Sequence, residues 1–154
     1  MPAGTRVAYV DMKRLIDSSP QFLRARERLL REFEAASNLL REDEARVSGL
    51  EIRLREAQQQ GNRDAEAAVL AELEPLRRSV ERTRDRLLRE LEARSEQEVE
   101  RAWPLINDSV AEFARDQGID IVVSSGVAYV SGRTDITDRV LDRLQRADAA
   151  RDGR

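Results

Sequence analysis

Apolar residues recur at alternating intervals of four and three positions between Phe22 and Ala57, and this spacing constrains the fold more than any other feature of the chain. A seven-residue repeat places one narrow apolar stripe along a helix, and such a stripe packs against a second helix. Arg26 and Asp43 interrupt the stripe, and a lone polar residue in such a seam more often sets its register or faces a cavity than performs chemistry. The positions are Phe22, Arg26, Leu29, Phe33, Ala36, Leu40, Asp43, Val47, Leu50, Leu54 and Ala57.

The pattern stops at Gln58-Gln59-Gln60-Gly61-Asn62 and then resumes. Gly61 can adopt a positive φ and Asn62 can cap a new helix, which predicts a chain reversal; the alternative is that the glutamines are plain helical surface. Residues 20–117 are therefore expected to form a long antiparallel helical hairpin, a pair of coiled-coil arms. The second stripe comprises Val69, Leu73, Leu76, Val80, Thr83, Leu87, Leu91, Val99, Trp103, Ile106, Val110 and Phe113.

Two prolines lie inside the predicted second helix, Pro75 and Pro104. Proline lacks a backbone N–H and clashes with the preceding turn, so each is expected to bend or break the helix. Both are therefore candidate hinges of the arm, and Pro104 would also mark its junction with the rest of the chain. The competing interpretation is a tolerated kink without function.

Three β-prone segments flank the helical region: residues 7–10, 119–123 and 127–130. The last two stand on either side of Ser124-Ser125-Gly126, which predicts a β-hairpin. Because the helical reversal brings both ends of the chain together, the three segments are expected to form one mixed sheet that places Tyr9 and Tyr129 on neighbouring strands. A short helix follows, opened by Asp135, with Ile136, Val140, Leu141 and Leu144 on one face.

The predicted fold is α+β and mainly α, a long antiparallel helical hairpin on a small β-sheet base. The base comprises residues 1–19 and 118–147, the hairpin arm residues 20–117, and a frayed tail residues 148–154. Ser19 is positioned to cap the first long helix, with Pro20 at its first position. A base this small buries little surface, so it is expected to associate with other copies of itself.

Composition excludes several chemistries. The chain has no cysteine and no histidine, which removes thiol nucleophiles, disulfides and histidine-based acid–base catalysis. It has no Gly-rich phosphate loop of the Gly-x-x-x-x-Gly-Lys type. Adjacent carboxylates on a chain that is 37% charged are interpreted as solvated surface. We therefore expect no enzyme activity, no cofactor and no bound metal.

The charge balance also argues against nucleic acid as a partner. Arginines alternate with acids, and the formal net charge is −3, whereas phosphate binding requires clustered cations. No window approaches the ~20 apolar residues of a membrane span. Residues 1–6 lack an apolar signal-peptide core. Either the protein is cytoplasmic, or this is the mature region of a protein from which a signal peptide has been removed, and composition does not distinguish the two.

The two ends of the chain resemble the Skp/OmpH family of periplasmic chaperones. The opening Val-Ala-Tyr-Val-Asp at 7–11, followed by Ser-Ser-Pro at 18–20 and a charged helix, is similar to the family's start. The closing strand at 119–123, the tyrosine-bearing strand at 127–130 and Asp-Ile-Thr at 135–137 are similar to its end. The resemblance spans nearly the whole chain, and its specificity lies in these ends.

The resemblance implies a homotrimer in which three bases join and three helical hairpins surround a cavity. That cavity would hold unfolded outer-membrane proteins in the periplasm without ATP. The residues expected to mediate trimerisation are Val7, Tyr9, Ile119, Ile121, Val123, Val127 and Tyr129. The candidate client-facing residues of the arm are Leu50, Leu54, Leu73 and Leu76.

The arm departs from the family in its charge. Known members are basic there, but residues 41–78 hold seven arginines against nine acids, which does not favour direct binding to a membrane or lipopolysaccharide. Trp103 is interpreted as packing where the arms meet the base, rather than as a client contact. The alternative function is a structural coiled-coil oligomer, a spacer or tether without chaperone activity.

Overall fold

The computed structural model describes residues 4–154 and is mainly helical. Contacts divide the chain into two compact units, which we call the body unit (Met1–Arg28 with Ser95–Arg154) and the hairpin unit (Leu29–Arg94). The elements are β1 (Val7–Tyr9), α1 (Met12–Ser18), α2 (Pro20–Gln59), α3 (Arg63–Asp116), β2 (Ile121–Val123) and α4 (Thr137–Asp152).

The predicted chain reversal is confirmed between α2 and α3. Gly61 has a φ of 64°, which an L-residue with a side chain rarely adopts. The Asn62 N–H donates to the carbonyl of Ala57 at 3.0 Å, and the Asn62 side-chain oxygen accepts from the Ala65 N–H at 3.1 Å. The turn therefore closes one helix and caps the next within three residues.

The heptad seam is confirmed in the hairpin unit. Leu29, Leu50 and Ala57 of α2 are buried, as are Leu73 and Val80 of α3. The remaining seam positions of the unit are half-buried, Asp43 and Thr83 included. Two antiparallel helices thus cover each other along one stripe, and their other faces remain in water.

The body unit has a continuous apolar core. Its buried members lie in or directly beside β1, α1, α3 and α4, and Phe22 of α2 packs against them. Because the last turns of α3 carry core residues, the boundary of this unit falls inside the long helix rather than at its end. The buried core residues are Ala8, Val10, Met12, Leu15, Ile16, Ala102, Ile106, Val110, Phe113, Ile136, Val140 and Leu144.

The predicted three-stranded mixed sheet is wrong, because the sheet has two parallel strands among the described residues. β1 pairs with β2 in a register that places Val7 opposite Ile121 and Tyr9 opposite Val123. The other edge of β1 is hydrogen-bonded near its end, where the Tyr9 N–H donates to the Thr134 carbonyl at 2.9 Å. The segment 127–130 forms no strand and is mostly exposed; strand preference depends on packing against neighbours, so a β-prone sequence alone does not pair.

Helix α1 is an element that the sequence analysis missed. Its signals are the spacing of Met12, Leu15 and Ile16, all buried, and a cap at Asp11, whose carboxylate accepts from the Arg14 N–H at 3.0 Å. The predicted cap of α2 is confirmed: the Ser19 hydroxyl accepts from the Phe22 N–H at 3.3 Å.

The predicted frayed tail is also wrong, because α4 continues to Asp152. Asp148 receives two hydrogen bonds from the Arg24 guanidinium, at 2.6 and 2.7 Å, and its side chain is only 12% exposed. Five residues, 148–152, are thus helical beyond the predicted end, and the first of them is joined to α2 by an ion pair. Asp135 acts near the start of α4, where its carboxylate accepts from the Thr137 N–H at 2.9 Å.

At two seam positions in the body unit, the buried residue lies one position before the predicted one. Ala25 is buried where Arg26 was expected, and Ala102 is buried where Trp103 was expected. Trp103 is 47% exposed, so its predicted packing role is wrong. An α-helix has 3.6 residues per turn, so a strict seven-residue pattern drifts around its surface, and the small alanines face inward.

Neither proline interrupts α3, which is helical from Arg63 to Asp116. The predicted break at Pro75 and Pro104 is therefore wrong, and a hinge function at either residue stays a prediction. The helix ends before Gly118, whose φ is 64°. The Gly118 N–H donates to the Arg115 carbonyl and the Ile119 N–H to the Ala114 carbonyl, which closes the last turn.

Candidate functional site

The body unit exposes large apolar side chains around its sheet. Val7, Ile121 and Val127 are each more than two-fifths exposed, and Tyr129 is 82% exposed. We call these four residues the body apolar surface. All four belong to the set predicted to mediate trimerisation. The other three members of that set, Tyr9, Ile119 and Val123, are half-buried, and Ile119 packs against the core.

The outer edge of β2 has no partner strand among residues 4–154. An unpaired edge presents free N–H and C=O groups that another chain can bond, and natural proteins usually cover such an edge. The apolar segment 127–130 follows β2 after a bend and lies exposed next to it in sequence. An open edge and exposed apolar side chains together are typical of a surface that a second chain covers.

The hairpin unit covers, wholly or in part, the four leucines predicted as client contacts. Leu50 is 5% exposed and Leu73 is fully buried, while Leu54 and Leu76 are half-buried. These leucines occupy the seam between the two helices. Their side chains therefore pack against the neighbouring helix and are covered by it. A client would reach Leu50 or Leu73 only if the two helices separated.

Other apolar side chains of the hairpin unit face water. Leu30, Leu39, Ile52 and Leu88 are each at least half exposed. They lie one or two residues away from seam positions. The sequence signal that could have found them is simple: they are large apolar residues outside the heptad positions.

A series of ion pairs connects α2 and α3 within the hairpin unit. Arginines of α3 bond glutamates of α2, and the side chains are more than a third exposed. The hydrogen bonds that Arg77 and Arg84 donate to these glutamates raise the pKa of both guanidinium groups above its usual value. Exposed pairs contribute mainly to register and little to stability. The pairs are Arg77 with Glu51 at 2.7 Å, Arg84 with Glu44 at 2.5 Å and Arg94 with Glu32 at 2.7 Å.

The hairpin unit is nearly balanced in charge. Residues 29–94 hold 13 arginines and 15 acids, a net charge of −2. No strong field of either sign therefore selects a charged partner over the whole unit. Between residues 4 and 154, no cluster of three or more acidic side chains is arranged to hold a metal ion.

None of the described helices is both long enough and apolar enough to cross a membrane.

Comparison with known proteins places this architecture in a family. The sequence profile of the OmpH-like outer membrane protein family matches residues 6–144. The chain belongs to this family. The match includes both strands, all of α1, α2 and α3, and the apolar face of α4. No curated protein sequence matches the OmpH-like chain significantly.

Seven chains of solved structures match the OmpH-like chain. One is the crystal structure of a candidate OmpH-like outer membrane chaperone from Caulobacter crescentus CB15, with 19% sequence identity and a TM-score of 0.67. The alignment covers 96% of this chain and 88% of the Caulobacter chain. At this identity the likeness concerns the fold, which confirms the predicted class, a mainly helical chain with a small sheet.

Proposed function

We propose that this OmpH-like chain is an ATP-independent holding chaperone that keeps unfolded outer-membrane proteins soluble in the periplasm. The observation that carries the proposal is the family match over residues 6–144, together with the fold shared with a candidate outer membrane chaperone. The sequence has no phosphate-binding loop, which is consistent with action without ATP.

The surface of the hairpin unit suits loose holding. An unfolded barrel strand exposes alternating apolar side chains and unpaired backbone groups, which drive aggregation. Exposed side chains such as Leu39, Ile52 and Leu88 offer weak apolar contacts. Weak contacts repeated over several arms bind by avidity without imposing one bound structure.

The proposal includes a homotrimer. The body apolar surface and the open edge of β2 would be covered by neighbouring copies, and the hairpins of three copies would surround a client cavity. Because the hairpin unit has a net charge of −2, we expect contacts with a client to be chiefly apolar. Added salt should then weaken client binding only modestly.

The second candidate is a structural coiled-coil oligomer, a spacer or tether. The ladder of ion pairs and the long seam of the hairpin unit favour it. A tether requires no apolar residues outside the seam, so the exposed leucines of the hairpin unit distinguish the two functions.

The test is light scattering of a urea-denatured barrel membrane protein diluted into buffer at low and moderate salt, with no nucleotide. The chain, at about one trimer per client, is expected to suppress aggregation in both conditions. A triple variant, L39S/I52S/L88S, should suppress less. The matched control A35S/A45S/A67S introduces the same three serines at exposed alanines and should behave as wild type.

Absence of suppression in both conditions would leave only the structural coiled-coil function. Suppression at low salt alone would keep the chaperone but replace apolar contacts with charge steering as the means of holding.

A further inference from the structure

Helix α2 contains an interior glycine that the fold does not require. Gly49 is exposed and lies ten residues before the end of α2. Its backbone is helical, without the positive φ of Gly61. A Cβ added at Gly49 would meet open space, with no contact within 4 Å. Neither backbone conformation nor close packing therefore demands glycine here, although glycine is among the least favourable residues in a helix interior.

Helix α3 contains a proline that weakens it in a similar way. Pro75 is exposed and lies twelve residues after the start of α3. Because proline has no N–H, the Ala71 carbonyl, four residues earlier, receives no helical hydrogen bond. The helix nevertheless continues through this position. Pro75 therefore leaves α3 intact but removes one of the bonds that resist bending.

Gly49 and Pro75 lie at nearly the same level of the hairpin unit. The ion pair between Glu51 and Arg77, at 2.7 Å, fixes which residues of the two helices face each other, and the pair made by Arg84 gives the same register. Gly49 precedes Glu51 by two residues and Pro75 precedes Arg77 by two residues. Because the helices are antiparallel, the two weak positions flank this ion pair and are about 6 Å apart along the axis, roughly one helical turn.

The surroundings of Gly49 leave room for a bend. An open groove of about 310 Å³ lies beside it and is bordered by both helices. The seam at this level is nevertheless closed, since Leu50 is 5% exposed and Leu73 is fully buried. The two helices can therefore bend together while their apolar contacts keep them paired. The groove is lined by Arg46, Gly49, Leu50, Arg53 and Glu72.

We propose that the hairpin unit has a hinge at the level of Gly49 and Pro75, about which its tip segment, residues 54–74, swings. Sharp bends in helices occur at proline and at glycine, and here one such residue in each helix coincides in level. The use of the hinge rests on the proposed chaperone function. Ile52 is exposed at this level and Leu39 is exposed ten residues before Gly49, so bending changes the spacing of side chains that would contact a client.

The experiment measures a distance across the hinge by electron spin resonance on the full chain. The chain has no cysteine, so N38C/Q59C supplies one defined pair of spin labels at exposed positions of α2. The labels are 21 residues apart, about 32 Å along the helix. Labelled chains are mixed with an excess of unlabelled chain, so that distances within one chain are measured. The distance distribution should be broad, and G49A/P75A should narrow it.

Two matched controls separate the hinge from a general effect of substitution. S48A places alanine at the exposed neighbour of Gly49, and P104A removes the other proline of α3. Neither should narrow the distribution. G49A should also slow hydrogen exchange of amides 46–53 about 5-fold, the effect expected when alanine replaces glycine in a helix. S48A should slow it less.

Three results would overturn the hinge. The first is a distance distribution equally wide in G49A/P75A and in the parent chain, and the second is equal narrowing by either control. The third is hydrogen-exchange protection that falls smoothly toward the turn, without a local minimum at residues 46–53, because the motion would then be fraying of the tip. Failure to suppress aggregation would remove the proposed chaperone function, whereas the distance measurement decides the hinge independently of any client.

Discussion

At the scale of single residues, two buried hydroxyl groups hold the body unit together at its junctions. Ser19 and Thr137 are fully buried. The Ser19 hydroxyl donates to the Ile16 carbonyl at 2.8 Å where α1 ends. The Thr137 hydroxyl accepts from the Asp11 N–H at 3.0 Å and donates to Asp135 at 2.6 Å. Each hydroxyl therefore satisfies backbone or carboxylate groups where a helix begins or ends.

Replacement of Ser19 by alanine should lower the free energy of unfolding by about 1–2 kcal/mol, because the cap of α2 and a buried hydrogen bond are lost together. Urea unfolding followed by circular dichroism measures the change. S48A, at an exposed serine of the same helix, is the control and should alter stability by less than about 0.5 kcal/mol. Equal effects of the two substitutions would contradict a capping role.

The ion pair between Asp148 and Arg24 should make the body unit sensitive to acid. Hydrogen bonds from the Arg24 guanidinium hold the pKa of Asp148 below its usual value. The stabilisation is therefore complete above the unfolded-state pKa of about 4 and is lost as the pH falls through the lower folded-state pKa. Arg24 stays protonated throughout.

D148N should accordingly be less stable than the wild type at pH 7, and the difference should shrink as the pH falls below about 4. Urea unfolding at pH 7, 4 and 3 measures it. D108N is the control, because Asp108 is exposed and has no ion pair among residues 4–154. A D148N deficit that stays constant from pH 7 to pH 3 would assign the role of Asp148 to packing.

At the scale of elements, the hairpin unit is held by its seam and aligned by its charges. The seam buries side chains of both helices, whereas the pairs between α2 and α3 remain substantially exposed. Burial of apolar surface dominates stability, and exposed ion pairs add little. The ion pairs therefore select the register of α2 against α3, and burial of the leucines supplies most of the stability of the unit.

Replacement of Leu73 by alanine should lower the free energy of unfolding by about 2–4 kcal/mol, because the side chain is fully buried and leaves a cavity. Thermal and urea unfolding measure the loss. L88A is the matched control, since Leu88 is on the same helix and mostly exposed. A small effect of L73A would mean that the two helices do not pack along this seam.

At the scale of the whole molecule, the body unit exposes apolar side chains and an unpaired strand edge, which a lone chain would be expected to cover. Its sheet has two strands, its outer edge is open, and Tyr129 is almost fully exposed. A sheet this small gains stability when further chains cover it. The proposed trimer would bury this surface and leave the hairpins as the part that meets a client.

Sedimentation equilibrium at micromolar concentration should give three times the 17.6 kDa chain mass. I121D and Y129D should each shift the protein toward monomer, because an unpaired charge buried at an interface costs about 3–5 kcal/mol. Q145D is the control, an acid introduced at an exposed position of α4, and it should remain trimeric. A monomer mass for the unaltered chain would rule out the trimer and the shared client cavity.

The helical hairpin, its turn and the caps at Ser19 and Gly118 could be predicted from the sequence, because each depends on residues close together in the chain. A seven-residue spacing predicts which face of a helix is covered, and Gly61 with Asn62 predicts where the chain reverses. The last helix was predicted for the same reason, although its end was not, since Asp148 is held by Arg24 from the far end of the chain.

Only the tertiary structure decided the pairing of the sheet and the exposure of individual side chains. β1 and β2 are three residues each, and their parallel register joins Val7 to Ile121 across more than a hundred residues. Local preference is too weak to choose such a partner, so the expected strand at 127–130 was misassigned. A rotation of one residue around α3 likewise exposes Trp103 and buries Ala102. The first turns of α2 also lie beside the last third of α3, and packing alone determines that proximity.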